Sequence, residues 1–497
     1  MAKQNSVKGQ AVYKDAVIIG TGFGGLGMAI KLKEAGLNDF AILEKGQDVG
    51  GCWRENTYPG AACDVPSLLY SFSFEAKSDW TRHFAPQNEI HGYLQHCAKK
   101  YQLTQHIQFN TEVSEACFDE EKGLWNITSI SGEKWQSRVF ISACGQLSQP
   151  AMPNLKGMEN FTGKVMHSAR WDHDYNLQGK TVAVIGTGAS AIQFVPEVAK
   201  QVNHMTVFQR SAPFIIPKPD RAYTGLTHSL LKNLPLFQKL SRLSIYVQHE
   251  IRLLGFTWLQ AMMPLAEAQA KRYMRKTIKD PVLREKLTPD YKIGCKRILI
   301  SNNYYNAFTQ ANVALETNGI SHIESDGVVL KNGDKVKVDA IIYGTGFKAT
   351  DFLSPIKVKG LYNKNLNEQW HKGAEAYLGI TVKDFPNFYM LYGPNTNLGH
   401  NSIVYMLESQ IRYTLKSIKL LNNKGIKYLN IRQNKHDSFN EKIQQQVKKT
   451  VWEKGCESWY KTDEGKNTVN WPDFTFKYRH KTRNVNLSDY HVVKKAS

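Results

Sequence analysis

The chain has 497 residues, 42% of them hydrophobic and 22% charged, with a formal net charge of +20. That length holds two or three domains with ample core, and the composition is that of an ordinary globular enzyme, which excludes a disordered chain, a collagen-like chain and a disulfide scaffold. The positive charge invites a nucleic-acid reading, but the basic residues are spread rather than blocked and no nucleic-acid-binding module accompanies them, so no such partner is expected.

The segment from Met1 to Lys14 is polar and lacks the core of a signal peptide, and no stretch reaches the length of a membrane span. A cytoplasmic location follows as the expectation. The seven cysteines (Cys52, Cys63, Cys97, Cys117, Cys144, Cys295 and Cys456) are odd in number and scattered, with no C-x-x-C pair and no neighbouring histidine cluster. They read as reduced, mostly buried small hydrophobes, with no metal site and no redox dithiol.

In chain order, the first landmark is the apolar run Ala16-Val17-Ile18-Ile19, followed at once by Gly20-Thr21-Gly22-Phe23-Gly24-Gly25. A helical pattern comes next, then a second apolar run, Phe40-Ala41-Ile42-Leu43, ending at Glu44. Strand, glycine turn, helix, strand and acid stand here in the order of a dinucleotide site. Gly20 makes the tight turn, Gly22 admits the pyrophosphate to the backbone and Gly25 lets helix and strand pack closely. The helix N-terminus faces the phosphates, and Glu44 accepts from ribose hydroxyls.

The pattern repeats. Residues 181–185 lead into Gly186-Thr187-Gly188-Ala189-Ser190-Ala191, a helix follows through Gln193, and the next strand ends in Gln209-Arg210-Ser211. An acid at that strand end would repel a 2′-phosphate, whereas Arg210 pairs with one bidentately and Ser211 adds a hydrogen bond. The first site therefore suits FAD and the second NADPH.

Residues 139–143 into Cys144-Gly145, and residues 339–343 into Gly344-Thr345-Gly346, mark two crossings between the units. The expected fold is α/β, with two Rossmann-like dinucleotide-binding domains, the NADPH domain inserted in the FAD domain. The FAD domain takes residues 10–150 and 345–497, the latter with a C-terminal loop, and the NADPH domain takes 151–344. Within the latter, about 222–290 turns helical, leucine-rich and basic. Leu230, Leu234, Phe237, Leu240, Ile251, Leu254, Trp258 and Met262 form an apolar face there. Two readings stand: a subdomain packing its own core, or a surface in weak contact with an anionic membrane that admits lipophilic substrates.

Two dinucleotide folds alone would also suit a disulfide reductase, but Cys52 and Cys63 lie too far apart for its cysteine pair. The segment Phe161-Thr162-Gly163-Lys164-Val165-Met166-His167-Ser168-Ala169-Arg170-Trp171-Asp172 is more specific. It resembles the type I Baeyer–Villiger monooxygenase fingerprint F-x-G-x-x-x-H-x-x-x-W-[PD] at every fixed position. The related flavin-containing monooxygenases, of whose superfamily this family is part, usually carry Tyr or Phe where Trp171 stands. Gly50-Gly51-Cys52-Trp53 through Tyr58-Pro59-Gly60 to Asp64 resembles the same family's upstream fingerprint. With both glycine motifs, the resemblance runs over nearly the whole chain.

The resemblance implies that NADPH reduces FAD and that a flavin peroxide formed with dioxygen inserts one oxygen atom into a ketone, giving an ester or lactone. It implies Arg297 as catalytic arginine in Lys296-Arg297 ahead of Tyr304-Tyr305, with Ile298 where many members carry Pro. Asp64 would orient that arginine, and Lys296 would join Arg210 on the 2′-phosphate. Gly51, Trp53, Asp64 and Tyr70 belong with the FAD site, and Gly186, Thr187, Gly188, Ser190, Ala191 and Gln193 with the NADPH site. His167 couples domain movement rather than acting as acid or base, and Trp459 of Ser458-Trp459-Tyr460 folds over NADP or packs in the core. Residues 391–402 form a loop entering a helix and cover the flavin edge. Two rival activities are oxygenation of sulfur or nitrogen on the same scaffold, which would not need Arg297 with Asp64, and a non-oxygenating NADPH redox sensor or membrane adaptor.

Overall fold

The computed structural model describes residues 10–353 and 355–495, so most of the polar segment from Met1 to Lys14 lies outside the described residues. An eight-stranded sheet carries the first dinucleotide unit. Strand β1 (Val12–Ile19) lies between β2 (Phe40–Leu43) and β6 (Lys134–Ser142), parallel to both, and β3 (Ile107–Gln108) follows β2 at the edge. Strands β4 (Val113–Asp119) and β5 (Leu124–Ser129) continue antiparallel from β6, while Phe388–Met390 pairs with the end of β6. The apolar run of β1 has a direct cause. Ile18 packs toward helix α1 (Phe23–Glu34), Val17 and Ile19 toward Trp125, Phe140 and Phe388, and a strand covered on both faces has no polar side to present. Helix α3 (Gln87–Lys100) packs beside α1, and α2 (Cys52–Glu55) beside α3.

The second sheet has five parallel strands. From one edge they run Val313–Glu316, β9 (His204–Phe208), β8 (Thr181–Ile185), Ala340–Tyr343 and β7 (Lys164–His167). Helix α4 (Ala191–Val198) covers one face through Ile192, Val195 and Val198, and a three-stranded antiparallel sheet covers the other. The fingerprint segment thus forms the edge strand β7 and the turn after it. That turn reaches across to the first sheet's domain, where Arg170 sits 3.5 Å from Glu55 and His173 Nε2 lies 2.8 Å from Thr57 Oγ1. The two crossings run side by side: Ala151 N–H donates to Gly346 O at 2.9 Å, and Pro150 bridges Phe347.

Between β9 and the Lys296–Arg297 segment stand helices α5 (Gly225–Asn233), α6 (Pro235–Phe256) and α7 (Met263–Thr277). Thr224 caps α5 by accepting from Thr227 N–H, and Pro235 opens α6 where no helical donor is needed. Helix α6 is pinned by polar contacts as well as packing. Arg242 donates to Leu68 O and Ser71 O, and the buried Glu250 accepts from Thr475 and Asn401. Of the two readings of this segment, the one in which it packs its own core needs correcting. Leu234, Phe237, Leu240, Ile251, Trp258 and Met262 are exposed, because the buried face of α6 carries Ile245, His249 and Leu253, with Ile245 in the core of the first sheet's unit.

Candidate active site

Both glycine turns leave space where a cofactor phosphate would lie. A Cβ on Gly25 would collide with Gly20 O, so glycine there sets how closely α1 approaches β1. At Gly22, by contrast, a Cβ would meet nothing nearer than the Gly51 Cα at 3.9 Å, and at Gly188 nothing nearer than Gly344 O at 4.0 Å. Neither α1 nor α4 has a side-chain cap bond or an acid in its first turn, so no side chain claims the N–H groups facing these spaces. Such termini suit a pyrophosphate.

Glu44 stands at the end of β2, nearly fully buried. It accepts from Thr21 N–H at 3.0 Å, Thr21 Oγ1 at 2.6 Å, Gly46 N–H at 2.8 Å and Arg54 Nη1 at 2.8 Å. Burial alone would raise its pKa; the bonds from Thr21 and the charge of Arg54 outweigh it and hold the carboxyl low. Glu44 thus ties the glycine turn to the strand end, and a ribose would share its oxygens with Thr21 and Arg54. Trp53 Nε1 donates to Tyr70 Oη at 3.2 Å, with Phe23 5.2 Å from the Tyr70 ring, which makes an aromatic wall beside Gly51.

At the second unit Arg210, Ser211 and Lys296 come together from β9 and a segment 85 residues further on. Lys296 Nζ donates to Ser211 Oγ at 3.1 Å, and Thr187 Oγ1 donates to Ser211 O at 3.1 Å. Burial and then the Arg210 charge lower the Lys296 pKa, against a smaller opposing effect of Asp290 and Glu457. The donor set fits a phosphate monoester. Ser190 and Ala191 open α4. Gln193 faces the other domain: its amide accepts from Tyr58 Oη at 2.9 Å and donates to Ala62 O at 2.9 Å.

Arg297 and Asp64 meet between the two units. Asp64 Oδ2 accepts from Arg297 Nε at 3.0 Å and Nη2 at 2.6 Å, across 233 positions of sequence. The Asp64 carboxylate raises the Arg297 pKa, and the guanidinium in turn overcomes burial to hold Asp64 below the usual carboxylate range. The pair is ionised and one fork of the guanidinium, Nη1, carries no bond to Asp64. The half-buried Tyr392 and the buried Tyr460 both feel the Arg297 charge, and Lys218 lies within electrostatic reach of Asp64. None of these three stood out in the sequence. Tyr460 adjoined the Trp459 segment, but Lys218 between two prolines offered no signal. A cleft of about 590 Å³ lined by Tyr58, Gln193, Lys218, Asp220 and Asn302 opens between the domains beside them.

Trp459 is 38% exposed with its ring 4.4 Å from that of Tyr460, so it is not core. His167 is buried, its Nδ1 accepting from Ala169 N–H at 3.1 Å, and burial followed by the Arg170 charge lowers its pKa, which suits a neutral structural group at the crossings. The loop after Phe388–Met390 is stitched to residues 467–471 by Asn395 and Asn397, and Ser402 caps helix Ile403–Asn423.

The reading of all seven cysteines as reduced is overturned: Cys295 and Cys456 form a disulfide, their Cα atoms 6.1 Å apart and 161 positions distant in sequence. Of the other five, Cys63 and Cys97 are buried, Cys117 and Cys144 half-buried and Cys52 exposed. The bridge joins the residue before Lys296–Arg297 to the loop that carries Trp459 and Tyr460.

The chain belongs to the flavin-binding monooxygenase-like family, whose model matches residues 13–365. Within it, the chain is similar to the Baeyer–Villiger monooxygenases, as the two fingerprints implied: it is 49% identical over 478 residues to a Baeyer-Villiger monooxygenase of Pseudomonas aeruginosa, covering 96% of this chain and 91% of that one. The closed crystal structure of cyclohexanone monooxygenase is 26% identical and superposes with a TM-score of 0.89 over 98% of this chain and all of that one. A crystal structure of OTEMO in complex with FAD and NADP is 27% identical, with a TM-score of 0.88 over 97% and 100% of the two chains.

Proposed function

We propose that this chain is an FAD- and NADPH-dependent monooxygenase that inserts one oxygen atom of dioxygen beside the carbonyl of a lipophilic ketone, yielding an ester or lactone. The observation that carries the reading is the Asp64–Arg297 pair, an ionised, oriented guanidinium at the junction of two dinucleotide cradles. When bound, FAD reduced by NADPH supplies the activation of dioxygen. The protein's own part is electrostatic. Asp64 fixes the plane of Arg297, and the free fork donates to the carbonyl oxygen as negative charge builds on it. Arg210, Ser211 and Lys296 would hold the 2′-phosphate, and Tyr392 and Tyr460 lie within electrostatic reach of the guanidinium. NADPH is supplied in the cytoplasm, where the reading places the protein.

The test is ester or lactone formed per NADPH consumed, by mass spectrometry over cyclic, linear and aryl ketones and sulfides. Arg297→Ala should retain FAD and oxidise NADPH while ester per NADPH falls about 10²–10³-fold. Arg297→Lys should rescue poorly, since an ammonium does not reproduce the fork, and Asp64→Ala should show a milder loss. Ketone conversion by Arg297→Ala at the wild-type ratio would sink the reading, and product confined to sulfoxides would favour heteroatom oxygenation.

A further inference from the structure

Helix α6 has two apolar faces, and only one of them is covered. Ile245, His249 and Leu253 point inward and are buried. Leu236, Leu240, Leu243, Val247 and Ile251 recur at three- and four-residue spacing, which places them on one other face of the same helix. Their exposures are 68%, 55%, 54%, 44% and 57%. At 1.5 Å per residue this stripe is about 22 Å long. It is no isolated feature: 12 of the 22 large hydrophobic side chains exposed among the described residues fall between Leu226 and Leu265. A water-soluble helix ordinarily carries its polar side outward, so an aliphatic ridge in that position needs an occupant.

Charge identifies the occupant. Residues 225–279 hold nine Lys and Arg against two acids, Glu250 and Glu267. Glu250 is buried, and Glu267 is neutralised by Lys271 at 2.6 Å. Lys232 and Lys239 on α5 and α6, Arg252 on α6 and Arg272 and Lys276 on α7 are all exposed. Beyond its far end lies an exposed indole with lysines nearby. Trp258, 59% exposed, packs on Phe474 at 5.3 Å and lies 5.4 Å from Lys477 Nζ, itself 3.0 Å from Asp473, while Lys454 Nζ donates to Gln260 at 2.9 Å. An indole among lysines beside an aliphatic ridge is the composition of an interfacial helix. A two-fold pairing of identical copies through this face would bring the same cations together, which disfavours self-association.

We infer that α6 and the turn after it form a docking surface for an anionic lipid bilayer, the aliphatic ridge sinking among the acyl chains and the surrounding Lys and Arg engaging lipid phosphates. The surface is independent of the oxygenation chemistry, so it stands or falls separately from the reading above. Two-fold recognition of the bilayer, apolar and ionic, makes a specific demand on salt: added ions should weaken binding without abolishing it.

The test is flotation of the FAD-loaded full chain with unilamellar vesicles of phosphatidylcholine alone or with about a third phosphatidylglycerol. The holoenzyme should partition onto the anionic vesicles at least tenfold more strongly than onto neutral ones, and 0.5 M salt should reduce but not eliminate binding (an order-of-magnitude expectation from charge-dependent lipid attraction). Leu240→Glu with Val247→Glu should lower the anionic partition about tenfold or more. Because both side chains already face water, flavin content and NADPH oxidation without vesicles should stay at wild-type levels. Equal partition of wild type and the double variant overturns the inference, as does absence of vesicle binding. A concentration-dependent dimer of the wild type, dissociated by the same substitutions while vesicles go unbound, assigns the ridge to a second copy instead.

Discussion

Arg210 is exposed at the end of β9 and gains its meaning from Lys296, which approaches from far along the chain to share Ser211. Each charge-assisted contact to a phosphate is worth about 1.5–3 kcal/mol. Arg210→Ala should therefore bind NADPH roughly ten- to a hundredfold more weakly, at about 1.4 kcal/mol per decade, and leave NADH affinity nearly unchanged. Titration of both nucleotides into the holoenzyme decides it: equal losses would mean that Arg210 supports the fold. Arg297 shows the opposite economy. Its partner Asp64 already occupies Nε and Nη2, so the residue type and its neighbours in sequence name the guanidinium but not the direction in which its free nitrogen points.

At the scale of elements, the decisive link is the bridge between Cys295 and Cys456. It fastens the short segment holding Lys296 and Arg297 to the loop holding Trp459 and Tyr460, neither of which has extensive secondary structure of its own. Non-reducing thiol titration of the denatured protein should count five free cysteines rather than seven. Closing a loop of 161 residues stabilises by about 2–5 kcal/mol in the chain-entropy account. Cys295→Ser with Cys456→Ser should lower the Tm by a few degrees and weaken NADPH binding, while FAD content is unaffected because α1 and its glycine turn lie elsewhere. Seven titratable thiols in the untreated protein would show that the bridge does not form. The same elements explain why glycine motifs were readable: the strand-turn-helix units are local, and β1, α1 and β2 lie within a few dozen residues.

Across the whole molecule, burial of neutral histidines couples stability to pH. His249 is pushed down to about 4 by burial and then by Arg252, and His400 to about 3 by burial and then by His249. Both folded values lie below the unfolded value near 6.5, so their contribution is fully present above that pH. It is lost as pH falls toward 4 and 3, because the unfolded chain takes up protons that the folded chain refuses. Asp64 and Glu44, also held low, add to the loss below about pH 4. Glu250, raised by burial, acts in the other direction there. Each buried histidine costs about 1.4 kcal/mol per pH unit within its window. The Tm should therefore fall between pH 7 and pH 5, and His249→Gln with His400→Gln should flatten that slope. A Tm independent of pH over this range contradicts the account.

From its own residues the chain determines two strand–glycine turn–helix units and their order, since each depends on contacts between near neighbours and on a backbone that only glycine permits. The long fingerprints likewise declare the family without any structure, because their spacing survives as linear pattern. Tertiary structure decided the rest. Gln193 became a strap between domains, Tyr392, Tyr460 and Lys218 converged on Arg297 and Asp64, and two cysteines separated by 161 residues met. It also turned outward the aliphatic face of α6, which by periodicity alone cannot be told from a buried one. An amphipathic pattern states that a face is apolar; what covers that face depends on which neighbours the folded chain brings to it.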